Sequence, residues 1–175
     1  MRRLLLFRHS TAERAEPGES DQGRRLSTDG RADAAVMGAY LASHPFRFDQ
    51  ALVSPSTRTQ ETWRQLAAAL RNVPEPVFDT RIYNGAAQAL LTVLKQQPRE
   101  AATLLLIGHN PGLHELATML VAAGDVDTRE QLRENFPTSG LAIIDFALDS
   151  WGKLHPRSGR LERFVRPSSI AAATN

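Results

Sequence analysis

Four short, strongly apolar runs, each followed by a stretch with helical spacing, constrain this chain more than any other feature. "RRLLLF" (2–7), "FDQALVS" (48–54), "PVFDTRIY" (76–83) and "ATLLLIGH" (102–109) read as strands. The segments 27–44, 55–72, 86–97 and 112–123 read as helices. In the first of these, Ser27 or Thr28 caps the start, and Ala35, Met37, Ala39, Tyr40 and Leu41 are expected to form the apolar face. Pro55 lies near the first turn of the second, where a missing N–H costs nothing, and the fourth is entered through Pro111. Strand and helix alternating four times predict an α/β three-layer sandwich: a mostly parallel central sheet with helices on both faces. "SGLAIIDFAL" (139–148) and "RLERFVRP" (160–167) read as closing strands around a turn region at 149–159. We expect one domain over residues 1–175, with a loose tail at about 168–175.

Composition excludes several function classes. At 42% hydrophobic and 23% charged residues, the balance is that of a soluble globular chain. The absence of cysteine removes disulfides and thiolate chemistry. The apolar part of "MRRLLLF" stops at Arg8, short of the roughly 7 to 15 residues of a signal peptide core, so a cytoplasmic protein without membrane attachment is expected. Lys95 and Lys153 are the only basic residues besides arginine among 21, yet the formal net charge is only +2. So small an excess does not predict a nucleic-acid partner.

The chemistry gathers where strands end. "LLLFRHS" (4–10) leaves its apolar run on Arg8 and His9, and "TLLLIGHNPG" (103–112) leaves on Gly108, His109 and Asn110. Parallel sheets bind ligands beyond the carboxyl ends of their strands, and neighbouring strands lie roughly 5 Å apart, so adjacency of these two would make the imidazoles face each other. "ALVSPSTRTQET" (51–62) adds Arg58 in the first turn of a helix, with Ser54, Ser56 and Thr57 around it; helix N-termini attract anions. Two histidines, two arginines and a helix N-terminus suit a phosphoryl group, whose oxygens match forked guanidinium donors. A neutral imidazole has a lone pair with which to attack phosphorus. His9 is then the nucleophile, and His109 steadies the transferring oxygens.

The other histidines are read as bland. His114 is packing or surface, and His44 and His155 are solvated. A zinc site from His9, His109 and His114 is set aside, because the spacing is undiagnostic and the nearby arginines would repel a dication. No metal and no cofactor is expected.

In this pattern the chain resembles the histidine phosphatase superfamily, with its phosphoglycerate mutase-like fold. "FRHS" matches the family's Arg-His-Gly signature apart from Ser10, "SPSTRTQET" its Ser-Pro-x-x-Arg-x-x-x-Thr stretch, and "LIGHNPG" its second histidine motif. "RRLSTDGRADAAVMGAYL" and "FPTSGLAII" extend the likeness toward the small bacterial phosphohistidine phosphatases of the SixA kind. The resemblance implies catalysis by His9, Arg8, Arg58 and His109 through a phosphohistidine intermediate and without a metal. Ser10 and Asn110 are expected to touch the substrate.

One departure concerns the acid. Mutases and many phosphomonoesterases of the superfamily carry a glutamate after the third strand, whereas no glutamate lies between Val77 and Arg99 here. Asp79 is a poor match, so Asp21 and Glu13, with Glu16 and Glu19, are positional candidates for a proton donor. Expelling an alkoxide benefits from a positioned acid by about 10² to 10⁴ in rate, whereas imidazole leaves readily without one. The favoured substrate is therefore phosphohistidine on a phosphorylated protein. The alternatives are a general phosphomonoesterase acting on a small phosphorylated metabolite, and a non-catalytic phosphate-binding module.

Overall fold

In the computed structural model, which describes residues 1–173, the first apolar run becomes β1 (Arg2–Arg8). Leu4, Leu5, Leu6 and Phe7 are completely buried. A strand has two faces, and here both are apolar: Leu4 and Leu6 enter one hydrophobic cluster, Leu5 and Phe7 another. Such a strand is stable only at the centre of a sheet covered on both sides.

The covering follows. α1 (Thr28–Ala42) and α2 (Thr57–Ala68) place Met37, Leu41, Trp63 and Leu66 on the face of Leu5 and Phe7. α3 (Ala87–Lys95), α4 (Gly112–Leu120) and α5 (Val126–Glu134) place Leu90, Leu94, Leu113, Leu116 and Leu132 on the other face. Between them lie β2 (Gln50–Val53), β3 (Pro76–Phe78), β4 (Thr103–Gly108), β5 (Val121–Gly124), β6 (Leu141–Phe146) and β7 (Gly159–Val165). The sheet order is β3-β2-β4-β1-β6-β7-β5. β1, β2, β3 and β4 run parallel, β6 is antiparallel to both β1 and β7, and β5 is parallel to β7. The sheet is thus mostly parallel, as the alternation predicts. No helix among the described residues is long and apolar enough to cross a membrane.

Local chemistry sets the boundaries and corrects several expectations. Ser27 caps α1 through a bond from the Gly30 N–H, and the burying face is Ala34, Met37, Gly38 and Leu41; Ala35 and Ala39 are exposed, since a 3.6-residue period from Met37 skips them. Ser56 caps α2, which leaves Pro55 just outside the helix, next to its first turn as expected. The third strand ends at Phe78, because Asp79 accepts the Arg81 N–H and turns the chain into a 3-10 turn at Thr80–Ile82, so Tyr83 leaves the sheet. The helix expected over 112–123 stops at Leu120, where Val121–Gly124 pairs with β7 instead. α5 carries only one buried residue, Leu132, so it has almost no apolar periodicity to read. The tail expected at 168–175 is helical over Pro167–Ala173 (α6), with Ile170 against the core; residues 174–175 of that expectation lie outside the described residues.

One close backbone approach ties the site elements together. A Cβ on Gly112, the first residue of α4, would collide with the Gly85 carbonyl oxygen in the turn that follows Tyr83. Gly112→Ala is expected to destabilise the protein by about 2 kcal/mol through forced separation of these backbones. Denaturant unfolding measures this; a cost under about 0.5 kcal/mol shows the two segments to be loosely joined.

Candidate active site

The register of β1 against β4 pairs Arg8 with Gly108, the last residue of each strand. The next residues, His9 and His109, therefore leave the sheet side by side. The His9 N–H donates to the Gly108 carbonyl (3.1 Å), and the Ser54 N–H donates to the Ile107 carbonyl (3.1 Å), carrying the ladder just past the strand ends. The two imidazole centroids are 5.2 Å apart and tilted by 52°. Both rings are buried.

Their hydrogen bonds assign their tautomers. His9 Nδ1 lies 2.7 Å from the Ser10 carbonyl oxygen, which only accepts, so Nδ1 carries the proton and Nε2 keeps its lone pair. For His109 the logic reverses: Nδ1 is 3.3 Å from Arg58 Nη2, which only donates, so Nδ1 accepts and Nε2–H donates to Ser54 Oγ at 2.7 Å. Burial, with the Arg58 and Arg8 charges as lesser causes, pushes His9 down to about 4. Burial first, then His9 and Arg58, pushes His109 down to about 3. Both rings are neutral at pH 7.

Arg58 is the second residue of α2, and its side chain is only 4% exposed. Nη1 donates to the Asp21 carbonyl (2.8 Å) and Nη2 to Asp21 Oδ2 (3.2 Å), while its guanidinium carbon sits 6.0 Å from the Tyr83 ring centroid. Arg8 Nη1 donates to the Phe136 carbonyl (3.1 Å). The Nε of each arginine is buried and has no partner among the described residues. Unpaired donors on two neighbouring cations provide capacity for an anion.

The remaining expected residues divide. Ser10 is fully buried, with its hydroxyl on Ser139 Oγ (2.6 Å) and its N–H on Thr62 Oγ1 (3.1 Å). These bonds tie Ser10 to Ser139 and Thr62 at the end of β1. Asn110 Nδ2 donates to the Phe136 carbonyl (2.9 Å), and its Oδ1 is buried without a partner among the described residues. Asp21 reaches the site, but Tyr83, Arg24 and Arg58 donate to its carboxylate and hold it down at about 2. These donors favour the ionised form of Asp21 at pH 7. Glu13 is exposed and makes backbone hydrogen bonds, to Arg25 and from Arg24, on the rim of the first loop. Asp79 is occupied by Arg81 at 2.6 Å. His114 turns away to the Leu132 carbonyl (2.6 Å) and stays apart from the histidine pair. His44, expected to be solvated, is partly buried between Tyr40 and Phe46.

Sequence reasoning missed Tyr83, Ser139 and the bond from His109 to Ser54. Tyr83 meets His109 edge-on at 5.5 Å and donates to Asp21 Oδ2 at 2.6 Å. Nothing in "RIYNG" signals this, because the contact joins residues 62 positions apart.

Comparison with known proteins agrees with this fold. The family model of the histidine phosphatase superfamily (branch 1) matches residues 4–82. The solved structure of the assigned phosphohistidine phosphatase SixA from Agrobacterium tumefaciens is 30% identical, with 95% of this chain and 98% of that chain covered and a TM-score of 0.78. Its counterpart from Nakamurella multipartitia is 24% identical over 95% of this chain and 96% of that one, with a TM-score of 0.83. An uncharacterized protein of Mycobacterium tuberculosis is 29% identical over 86% of this chain and 93% of its own length. The architecture is phosphoglycerate mutase-like.

The buried histidines make stability depend on pH. In the unfolded chain a histidine takes its proton near 6.5, but folded His9 waits until about 4 and His109 until about 3. Between those values the unfolded state binds more protons, so stability rises with pH. The contribution is whole above about pH 6.5 and is lost as the pH falls toward 4 and 3, at up to about 1.4 kcal/mol per pH unit for each ring. Thermal unfolding from pH 7 to pH 4 is expected to show this slope, and His9→Gln to make it shallower; an unchanged slope in that variant contradicts the assignment.

Proposed function

Because the chain belongs to the histidine phosphatase superfamily, we propose that it hydrolyses phosphoryl groups through a covalent phosphohistidine on His9, and that its substrate is phosphohistidine on another protein. The observation that carries this reading is the fixed tautomer of His9, whose Nε2 keeps its lone pair beside two arginines, each with a buried Nε that has no partner among the described residues.

The reaction runs in two displacements. His9 Nε2 attacks phosphorus, the bond from phosphorus to the substrate imidazole breaks, and the electron pair stays on that nitrogen. Solvent protonates the other ring nitrogen of the substrate, so the leaving group is neutral imidazole. Water then attacks the enzyme phosphohistidine, losing a proton as inorganic phosphate departs and the His9 lone pair returns. Arg8 and Arg58 neutralise the equatorial oxygens, a task for which this reading needs no metal ion. The phosphoryl charge also favours protonation of His109, whose Nδ1 would then donate to an oxygen rather than accept from Arg58.

The substrate choice rests on the state of Asp21. It is the one carboxylate hydrogen-bonded within the site among the described residues, and it is ionised at pH 7. Phosphate esters with poor alkoxide leaving groups lack a donor there, whereas a phosphoramidate does not require one. The names of the Agrobacterium and Nakamurella structures point the same way.

Two measurements test the reading. With phosphorylated substrate and an alkaline detergent quench, wild type should carry a base-stable, acid-labile label that is absent from His9→Ala; a label surviving in that variant refutes the nucleophile. Against a panel, phosphohistidine protein should be turned over about 10² or more faster than sugar phosphates, and Arg58→Ala should lose about 10² to 10³ in rate with its fold intact. Efficient turnover of a sugar phosphate with phosphohistidine untouched overturns the substrate assignment.

A further inference from the structure

Asp21 has no place in the proton transfers proposed above, yet its carboxylate accepts three hydrogen bonds. Its Oδ2 accepts from Tyr83 Oη at 2.6 Å and from Arg58 Nη2 at 3.2 Å. Its Oδ1 accepts from Arg24 Nη1 at 3.1 Å, and its backbone carbonyl accepts from Arg58 Nη1 at 2.8 Å. It stands on a 3-10 turn, Asp21–Gly23, capped by Ser20. Tyr83 stands on the turn after β3 and also touches His109.

We infer that Asp21 and Tyr83 form a clamp that positions the Arg58 guanidinium, with one edge held by the first loop and Nε left for a phosphoryl oxygen. The reason is electrostatic. A guanidinium 4% exposed needs a counter-charge, and Asp21 supplies it. Two bonds to one residue fix the plane of the fork, which a single contact would leave free to turn. Tyr83 donates to the same oxygen, Oδ2, that accepts from Arg58, and so restrains Asp21 although half of its side chain is exposed. Both are positioning residues: they act through Arg58. The idea rests on the phosphatase reading only in taking the bound anion to be phosphoryl.

The test is a double-mutant cycle with Asp21→Asn, Tyr83→Phe and Arg58→Ala, read by kcat and KM on phosphohistidine protein, an aryl phosphate and an alkyl phosphate, and by inorganic phosphate binding. Asp21→Asn is expected to lose about tenfold to hundredfold in kcat/KM and Tyr83→Phe about threefold to tenfold. The fold-loss should be the same for every leaving group. In the Arg58→Ala background, Asp21→Asn should cost nothing further, since the group it positions is gone. A loss that grows with leaving-group basicity makes Asp21 an acid and overturns the clamp, as does full additivity with Arg58→Ala or a wild-type rate in Asp21→Asn. If Asp21→Asn does not fold, Tyr83→Phe, which deletes a single hydroxyl, carries the same cycle. If wild type turns over none of the substrates, the phosphatase reading falls. The clamp is then judged on phosphate affinity alone: about tenfold weaker binding in Asp21→Asn, absent in the Arg58→Ala background, supports it, and unchanged affinity overturns it.

Discussion

The pairing of β1 with β4 is the constraint on which the site depends. Six consecutive register pairs, Arg3 with Thr103 through Arg8 with Gly108, bring two apolar strands to a common end. A slip of one residue would turn Leu5 and Phe7 to the other face and exchange the contents of both hydrophobic clusters. The register is thus held by burial on both faces, and the distance between His9 and His109 is inherited from it. The two imidazoles are placed by strands whose apolar residues are completely buried.

Charge is the second organising factor. Arg8, Arg58 and two imidazoles converge at an edge with little water, and a cluster of four cations there would be costly. The structure relieves this by keeping both histidines neutral and giving Arg58 a single counter-charge in Asp21. The same relief readies the site for reaction. A neutral imidazole keeps a lone pair, and the buried Nε of Arg8 and of Arg58 has no partner among the described residues.

Much of this was legible because it is local. The residues that leave a strand are adjacent in sequence to its apolar run, so Arg8, His9 and His109 announce themselves, and the Ser-Pro step before Arg58 marks a helix start. Elements with weak or competing local signals were not legible. α5 buries a single leucine, β5 continues a helical pattern before peeling onto β7, and α6 looks like a polar tail until Ile170 meets the core. Ser10 shows the same limit within the site. By type a serine in that position suggests a ligand contact, and its bonds to Ser139 and Thr62, residues distant in the chain, carry no signal in the sequence.

The sequence by itself determined the alternation of strand and helix, the chemical identity of the groups at the strand ends, and the lack of a glutamate after the third strand. These follow from periodicity and residue type, which each segment carries alone. Tertiary structure decided that β4 lies between β1 and β2, which nitrogen of each imidazole holds the proton, and that the Asp21 carboxylate meets Arg58 and Tyr83. Each of these depends on groups far apart in the chain meeting in a buried space, where desolvation and the nearest hydrogen-bond partner, not the residue type, set the state of a side chain.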